Sequence, residues 1–144
     1  RILTSMHATS PRWRADMAYE SPGIDLGTLT AAADLSGKQH YFVKLASATT
    51  VNVCTAITDV AIGVLQNDPE SGEQAVVRIF GITKVSADGT LAAGNIIGTS
   101  ADSQADAISR GTDNSVTILG QAIEAASAGE TVTMFFNPSN ARAY

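Results

Sequence analysis

The run AIGVLQNDPESGEQAVVRIFGITKV, Ala61–Val85, decides how the chain is read. Two stretches rich in Val, Ile and Leu flank a cluster of Asn, Asp, Pro, Ser and Gly, the pattern of strand, turn, strand. Asp68 precedes Pro69 and is thereby held extended. Asp-Pro suits the first two positions of a type I turn, and Gly72 supplies the left-handed residue that closes the loop. The segment carries one Arg, one Lys and three carboxylates, the carboxylates grouped in the turn region, with no pair of groups arranged for chemistry. It reads as framework.

The same grammar continues on both sides. In HYFVKLA, Tyr41, Val43 and Leu45 alternate with His40, Phe42 and Lys44; in TTVNVCT, Val51 and Val53 alternate with Asn52, and both are expected as half-buried strands. Further on, SADGTL carries the Asp88-Gly89 hairpin signal, AGNIIGTS reads as a strand, and Asp113-Asn114 introduces SVTILGQAIEA. An internal echo ties these pieces together. Gly63 precedes Gly72-Glu73 by nine positions and Gly120 precedes Gly129-Glu130 by the same nine. After each Gly-Glu, apolar residues fall in phase: Ala75, Val77 and Ile79, then Val132, Met134 and Phe136. The short segments LTAAADLS and SQADAISR fall below the length at which a helix stands without packing, about 12 residues. The expected fold is all-β: a small antiparallel barrel or sandwich of about eight short strands, with an extended N-terminal arm.

A chain of 144 residues is read as one domain with tails: an arm over 1–27, a β module over 28–137 and a tail over 138–144. Charged residues make up 16%, against about 25% in a typical soluble chain, which points to surface covered by a partner or by self-association. A net charge of -5 without a clustered basic face argues against nucleic acid. No apolar run approaches the roughly 20 residues of a membrane span, so no membrane partner is expected.

The arm differs from the rest. It mixes Met6, Trp13, Met17 and Tyr19 with Arg12 and Arg14, includes Pro11 and Pro22, and keeps no sustained period. Disordered tails are poor in aromatic and large apolar residues, whereas this segment holds the only Trp. It is read as an arm ordered on a partner rather than a frayed terminus.

Catalytic and metal sites are not expected. His7 and His40 lack an evident partner and cleft, and no nucleophile elbow or phosphate-binding loop occurs. Cys54, the single cysteine, reads as a small core filler. The pairs Asp102 with Asp106 and Asp68 with Glu70 read as solvated loop charges, and DSQAD supplies only a fragment of a calcium loop. No cofactor is expected.

Four blocks together resemble a known family: FVKLASA, the segment Asp59–Val85, LAAGNIIGTSADSQA, and ILGQAIEAASAGETVTMFF. In order and spacing they are similar to the small capsid decoration, or cement, proteins of tailed bacteriophages. The resemblance covers Phe42 to Phe136. It implies a β-rich virion protein, made in the host cytoplasm and placed on the outer capsid surface, often as a homotrimer, where it stabilises contacts between major capsid protein subunits. The long arm and the NPSNARAY tail depart from shorter members. Partner-binding residues are expected in the arm: Ile2, Leu3, Arg12, Trp13, Arg14, Met17 and Tyr19, since Trp, Tyr and Arg dominate interface hot spots. Exchange of arms between protomers competes with capsid binding as the explanation. Asp68, Pro69, Gly72, Asp88, Gly89 and Gly129 are expected as structural turns. A β-sandwich module that binds carbohydrate or another surface is the alternative. It would need an exposed aromatic platform, whereas Phe42, Phe80, Phe135 and Phe136 are expected mostly in the core.

Overall fold

A computed structural model describes residues 18–139 of the chain. Among them are nine strands and no helix: β1 Gly23–Ala31, β2 Phe42–Leu45, β3 Thr50–Val53, β4 Gly63–Leu65, β5 Gln74–Ser86, β6 Ile96–Thr99, β7 Ala105–Ala107, β8 Gly120–Ala122 and β9 Thr131–Phe136. Their order in the sheet is β1-β3-β2-β4-β5-β9-β8-β6-β7, and β1 also pairs with β5. The first five strands therefore close on themselves as a small barrel. A second ring runs β5-β9-β8-β6-β7 and returns to the end of β5 through the bridge Ala87↔Ala105. One long strand serves both barrels.

The two barrels repeat one plan. In barrel 1, β2 meets β3 and β4 through Val43↔Val53 and Val43↔Gly63; in barrel 2, β6 meets β7 and β8 through Ile97↔Ala107 and Ile97↔Gly120. Leu65↔Val77 recurs as Ala122↔Met134, and Leu29↔Ala75 as Val85↔Val132. The parallel pair Ala31↔Val51 recurs as the bridge Ala87↔Ala105. The cores follow suit: Leu35, Val43, Leu65 and Val77 of the first correspond to Leu91, Ile97, Ala122 and Met134 of the second. Ala75 and Leu65 in the first core become Val132 and Ala122 in the second, an exchange of volume that keeps each interior filled.

The Gly-Glu echo is the visible trace of this duplication. Glu73 N donates to Glu70 O at 3.0 Å, and Glu130 N to Ser127 O at 3.1 Å, so each Gly is the third residue of a four-residue turn. Gly72 has φ 84° and Gly129 φ 85°, the conformation required at that position of a type II turn. Each Glu carboxylate accepts the amide that opens its own turn, Glu70 N at 2.7 Å and Ser127 N at 2.6 Å. Each turn docks identically on its barrel, Gly72 N to Ala31 O at 2.9 Å and Gly129 N to Ala87 O at 2.8 Å. Nine residues earlier, Gly63 and Gly120 let a strand cross closely over its neighbour, because a Cβ there would strike Arg78 O or Phe135 O.

Several expectations need correction. The tight turn is Glu70–Glu73, two residues beyond the expected Asp68-Pro69 start. Asp68 instead accepts Gln39 N at 2.9 Å, and buried Pro69 accepts Leu35 N at 2.9 Å, both binding the loop after β1. Asp88-Gly89 is a bend rather than a hairpin, since Gly89 is not a positive-φ residue and β6 pairs with β7 and β8, not β5. The sheet begins at Gly23, so residues 23–27, assigned to the arm, are strand. Pairing is not wholly antiparallel, because β1 and β3 run parallel. Strand β2 is buried on both faces: Val43 fills barrel 1 while Phe42 packs in the second core.

Val at position 72 would place a β-branched side chain at positive φ with open space around it, so backbone strain alone sets the cost, about 1–3 kcal/mol. Gly72→Val and Gly129→Val are expected to lower the denaturation midpoint clearly and to similar degrees, while Glu70→Ala changes stability by within about 0.5 kcal/mol. Equal midpoints for Gly72→Val and Glu70→Ala would contradict the turn assignment.

Candidate interaction surface

Strand β5 points its odd-numbered residues inward, so its even-numbered ones face out. Phe80 is 42% exposed, and its cross-strand neighbour Ile24 on β1 is 56% exposed. Ile82 lies opposite Phe135 of β9 on the same side. The Phe80 and Phe135 rings meet edge to face, 5.4 Å between centroids at 79°. An apolar strip thus crosses the outer side of β1, β5 and β9. Phe80 and Phe135 were expected in the core, and strand phase corrects this: if Ile79 and Phe136 point inward, their neighbours point out.

The chain is clamped across this face. Arg78, whose side chain is 11% exposed, pairs through Nε with Asp25 Oδ1 and donates to Ser21 O at 3.0 Å and Ile82 O at 2.7 Å. Tyr19 N donates to Thr133 Oγ1 at 2.7 Å, and that hydroxyl donates to Glu124 Oε1 at 2.8 Å. Tyr19 is therefore fixed through its backbone while its side chain stays 48% exposed. Of the other expected partner-binding residues, Ile2, Leu3, Arg12, Trp13, Arg14 and Met17 lie outside the described residues.

Groups with chemical potential are placed elsewhere. Cys54 is buried between the barrels, where desolvation and the Asp59 charge push its thiol up to about 12, so it stays protonated at neutral pH. His40 lies at the junction. Its amide donates to Leu65 O at 2.7 Å, its carbonyl accepts Ser86 N at 2.9 Å, its φ is 68°, and Nδ1 is buried without a hydrogen-bond partner. Desolvation lowers its pKa; Lys84 acts in the same direction, while Glu20 and Asp68 oppose it. Among the described residues, no three His, Cys, Asp or Glu side chains gather as a metal site, and no helix is long and apolar enough to cross a membrane. The arrangement holds an exposed apolar strip in place.

No protein-family model matches the chain, and no curated protein sequence does. Among solved structures it is similar to the N base of the head fiber gp8.5 of bacteriophage phi29. The TM-score is 0.59 at 16% identity, covering 79% of this chain and 93% of that one. The two chains share the all-β fold described above.

Arg78→Met removes the ion pair and two carbonyl bonds, and hydrogen bonds to charged groups contribute about 1.5–3 kcal/mol each. Amide exchange in Ile24–Leu26 is expected to quicken while the strands of barrel 2 stay protected; unchanged exchange would contradict the clamp.

The lowered pKa of His40 makes stability pH-dependent. The neutral ring is favoured by folding, so its contribution is complete above the ordinary value of 6.5 and is lost as pH falls through the lower folded value. His40→Asn keeps a residue tolerant of positive φ and removes the titration. The wild type is expected to lose more stability than the variant between about pH 6.5 and 5.5; parallel losses would contradict the assignment.

Proposed function

We propose that the chain is a structural component of a tailed-phage virion that binds the outside of the icosahedral shell. There it contacts the major capsid protein as a homotrimer and stabilises the joints between capsid subunits, with no enzymatic role. The observation that carries this reading is the fold shared with a phage head fiber base over 93% of that chain. The resemblance of four sequence blocks to capsid decoration proteins points the same way. A shell fails first at the seams between subunits, and a body that spans a seam adds buried interface there without covalent bonds. The Ile24–Phe80–Phe135 strip supplies apolar area for such a contact, and the sequence before Ala18 carries Trp13, Arg12 and Arg14, residue types that anchor interfaces.

The test is co-sedimentation of the purified chain with empty heads of the phage that encodes it. Binding is expected, and Trp13→Ala should weaken it by about thirtyfold to several hundredfold, the equivalent of roughly 2–4 kcal/mol for a buried anchor, with the melting temperature unchanged. Shells that sediment without the chain would refute the function. A Trp13→Ala variant that binds normally would move the contact from the arm to the body.

A further inference from the structure

The duplication gives each barrel the same two faces, and covalent linkage uses up only one of each. On barrel 1, the face bearing Phe42, Cys54 and Ala61 is sealed, with those residues 0%, 1% and 3% exposed. Phe42 is covered by Phe136 of barrel 2, and the β6–β7 end of that barrel bonds to Phe42 and Cys54. Ser103 O accepts Phe42 N at 2.8 Å, Ser103 Oγ donates to Cys54 O at 2.6 Å, and Thr99 lies beside the Cys54 thiol. Thr99 and Ser103 are accordingly buried, at 1% and 3%.

The counterparts of these groups face solvent. The strand pairings place Ile96 where Phe42 stands, and Ile108 N to Ile96 O at 2.8 Å reproduces Cys54 N to Phe42 O at 3.2 Å. Leu119 N to Ile97 O at 2.9 Å likewise matches Ile62 N to Val43 O at 2.8 Å, so Ile118 stands where Ala61 does. Ile96, Ile108 and Ile118 are only half-buried. On the complementary side, Ser100 N to Gln104 O at 2.8 Å matches Ala46 N to Thr50 O at 2.9 Å, which makes Leu45 the counterpart of Thr99 and Thr49 that of Ser103. Both are exposed, Leu45 at 50%. Among the described residues, barrel 2 keeps a half-buried isoleucine face, with Ser139 N on the Ile118 carbonyl at its edge, and barrel 1 keeps an exposed loop at the position of the covering loop, although Thr49 lacks the positive φ of Ser103.

We infer that copies of this chain associate head to tail, the Leu45–Thr49 loop of one copy seating on the Ile96, Ile108 and Ile118 face of the next. A second copy is the occupant because the corresponding loop already meets the corresponding face once inside every molecule. Isoleucines at all three positions suit burial against Leu45, which replaces a hydroxyl with a branched alkyl group at the point of contact. The contact is heterologous, so a rotation that closes gives a ring, and one that does not gives a filament. This inference deepens the proposed function by naming the surfaces of self-association, and its test uses no shells.

The internal contact between Thr99 and Cys54 translates into Leu45 of one copy beside Ile108 of the next. Leu45→Cys and Ile108→Cys proteins are prepared separately and oxidised mildly, alone and mixed, with native Cys54 buried and inert. The expected result is disulfide-linked dimers in the mixture well above either protein alone, and well above a mixture of Ile108→Cys with Thr28→Cys as an exposed control. Leu45→Asp, at an exposed position, serves if Ile108→Cys fails to fold. It should raise the dissociation constant of self-association in sedimentation velocity by about tenfold or more at an unchanged melting temperature. Cross-linking of Leu45→Cys to itself as efficiently as in the mixture, or self-association indifferent to Leu45→Asp, overturns the inference. A wild-type chain that is monomeric at every concentration yet co-sediments with shells overturns it too, and leaves the proposed function standing.

Discussion

Strand β5 must satisfy two cores with a single alternation of side chains, and the rest of the molecule depends on its doing so. Ala75 and Val77 fill barrel 1, Val85 fills barrel 2, and all three lie on odd positions of one pleat. A one-residue slip would turn every one of them outward. Between the two runs, Gly81 gives room for Gly23 of β1, and buried Thr83 accepts Gln66 Nε2 at 3.0 Å. The barrels are therefore not beads on a linker. They share a wall, and Phe42 against Phe136, ring centroids 6.2 Å apart, fills the joint. Neither barrel has an interior large enough to be secure alone, and fusing them removes apolar surface from both.

This construction pairs a stiff body with exposed apolar edges. Duplicated turns fix the loops by backbone bonds and one carboxylate each, so little side-chain chemistry is needed on the framework. What remains is free for contact: an apolar strip on the outer side of β5 and two barrel faces that duplication leaves unmatched. The 16% charged content leaves room for these apolar surfaces.

Much of this was legible in the sequence. The all-β class followed from short alternating runs, and the Gly-Glu echo exposed one corner of the duplication. The full repeat was hidden because the two copies conserve volume and backbone bonds rather than residue identity, as Leu65 against Ala122 and Val77 against Met134 show. The turn around Pro69 was displaced because buried Pro69 is held by Leu35, a long-range bond that local turn preferences do not contain. The exposed strip was missed for another reason. Phe80 and Phe135 are hydrophobic, but the phase of Ile79 and Phe136 already put them on the other side. Ile24 reads as arm in the sequence because Pro22 and Gly23 interrupt the pattern just before the strand starts.

The proposed function is tested most directly by cryo-electron microscopy of empty heads of the phage proposed to encode the chain, incubated with the purified protein. The account predicts two-lobed density on the outer surface, the lobes joined along one strand and resting across junctions between capsid subunits. Bare shells at saturating protein, or density confined to the interior or the tail, would contradict it.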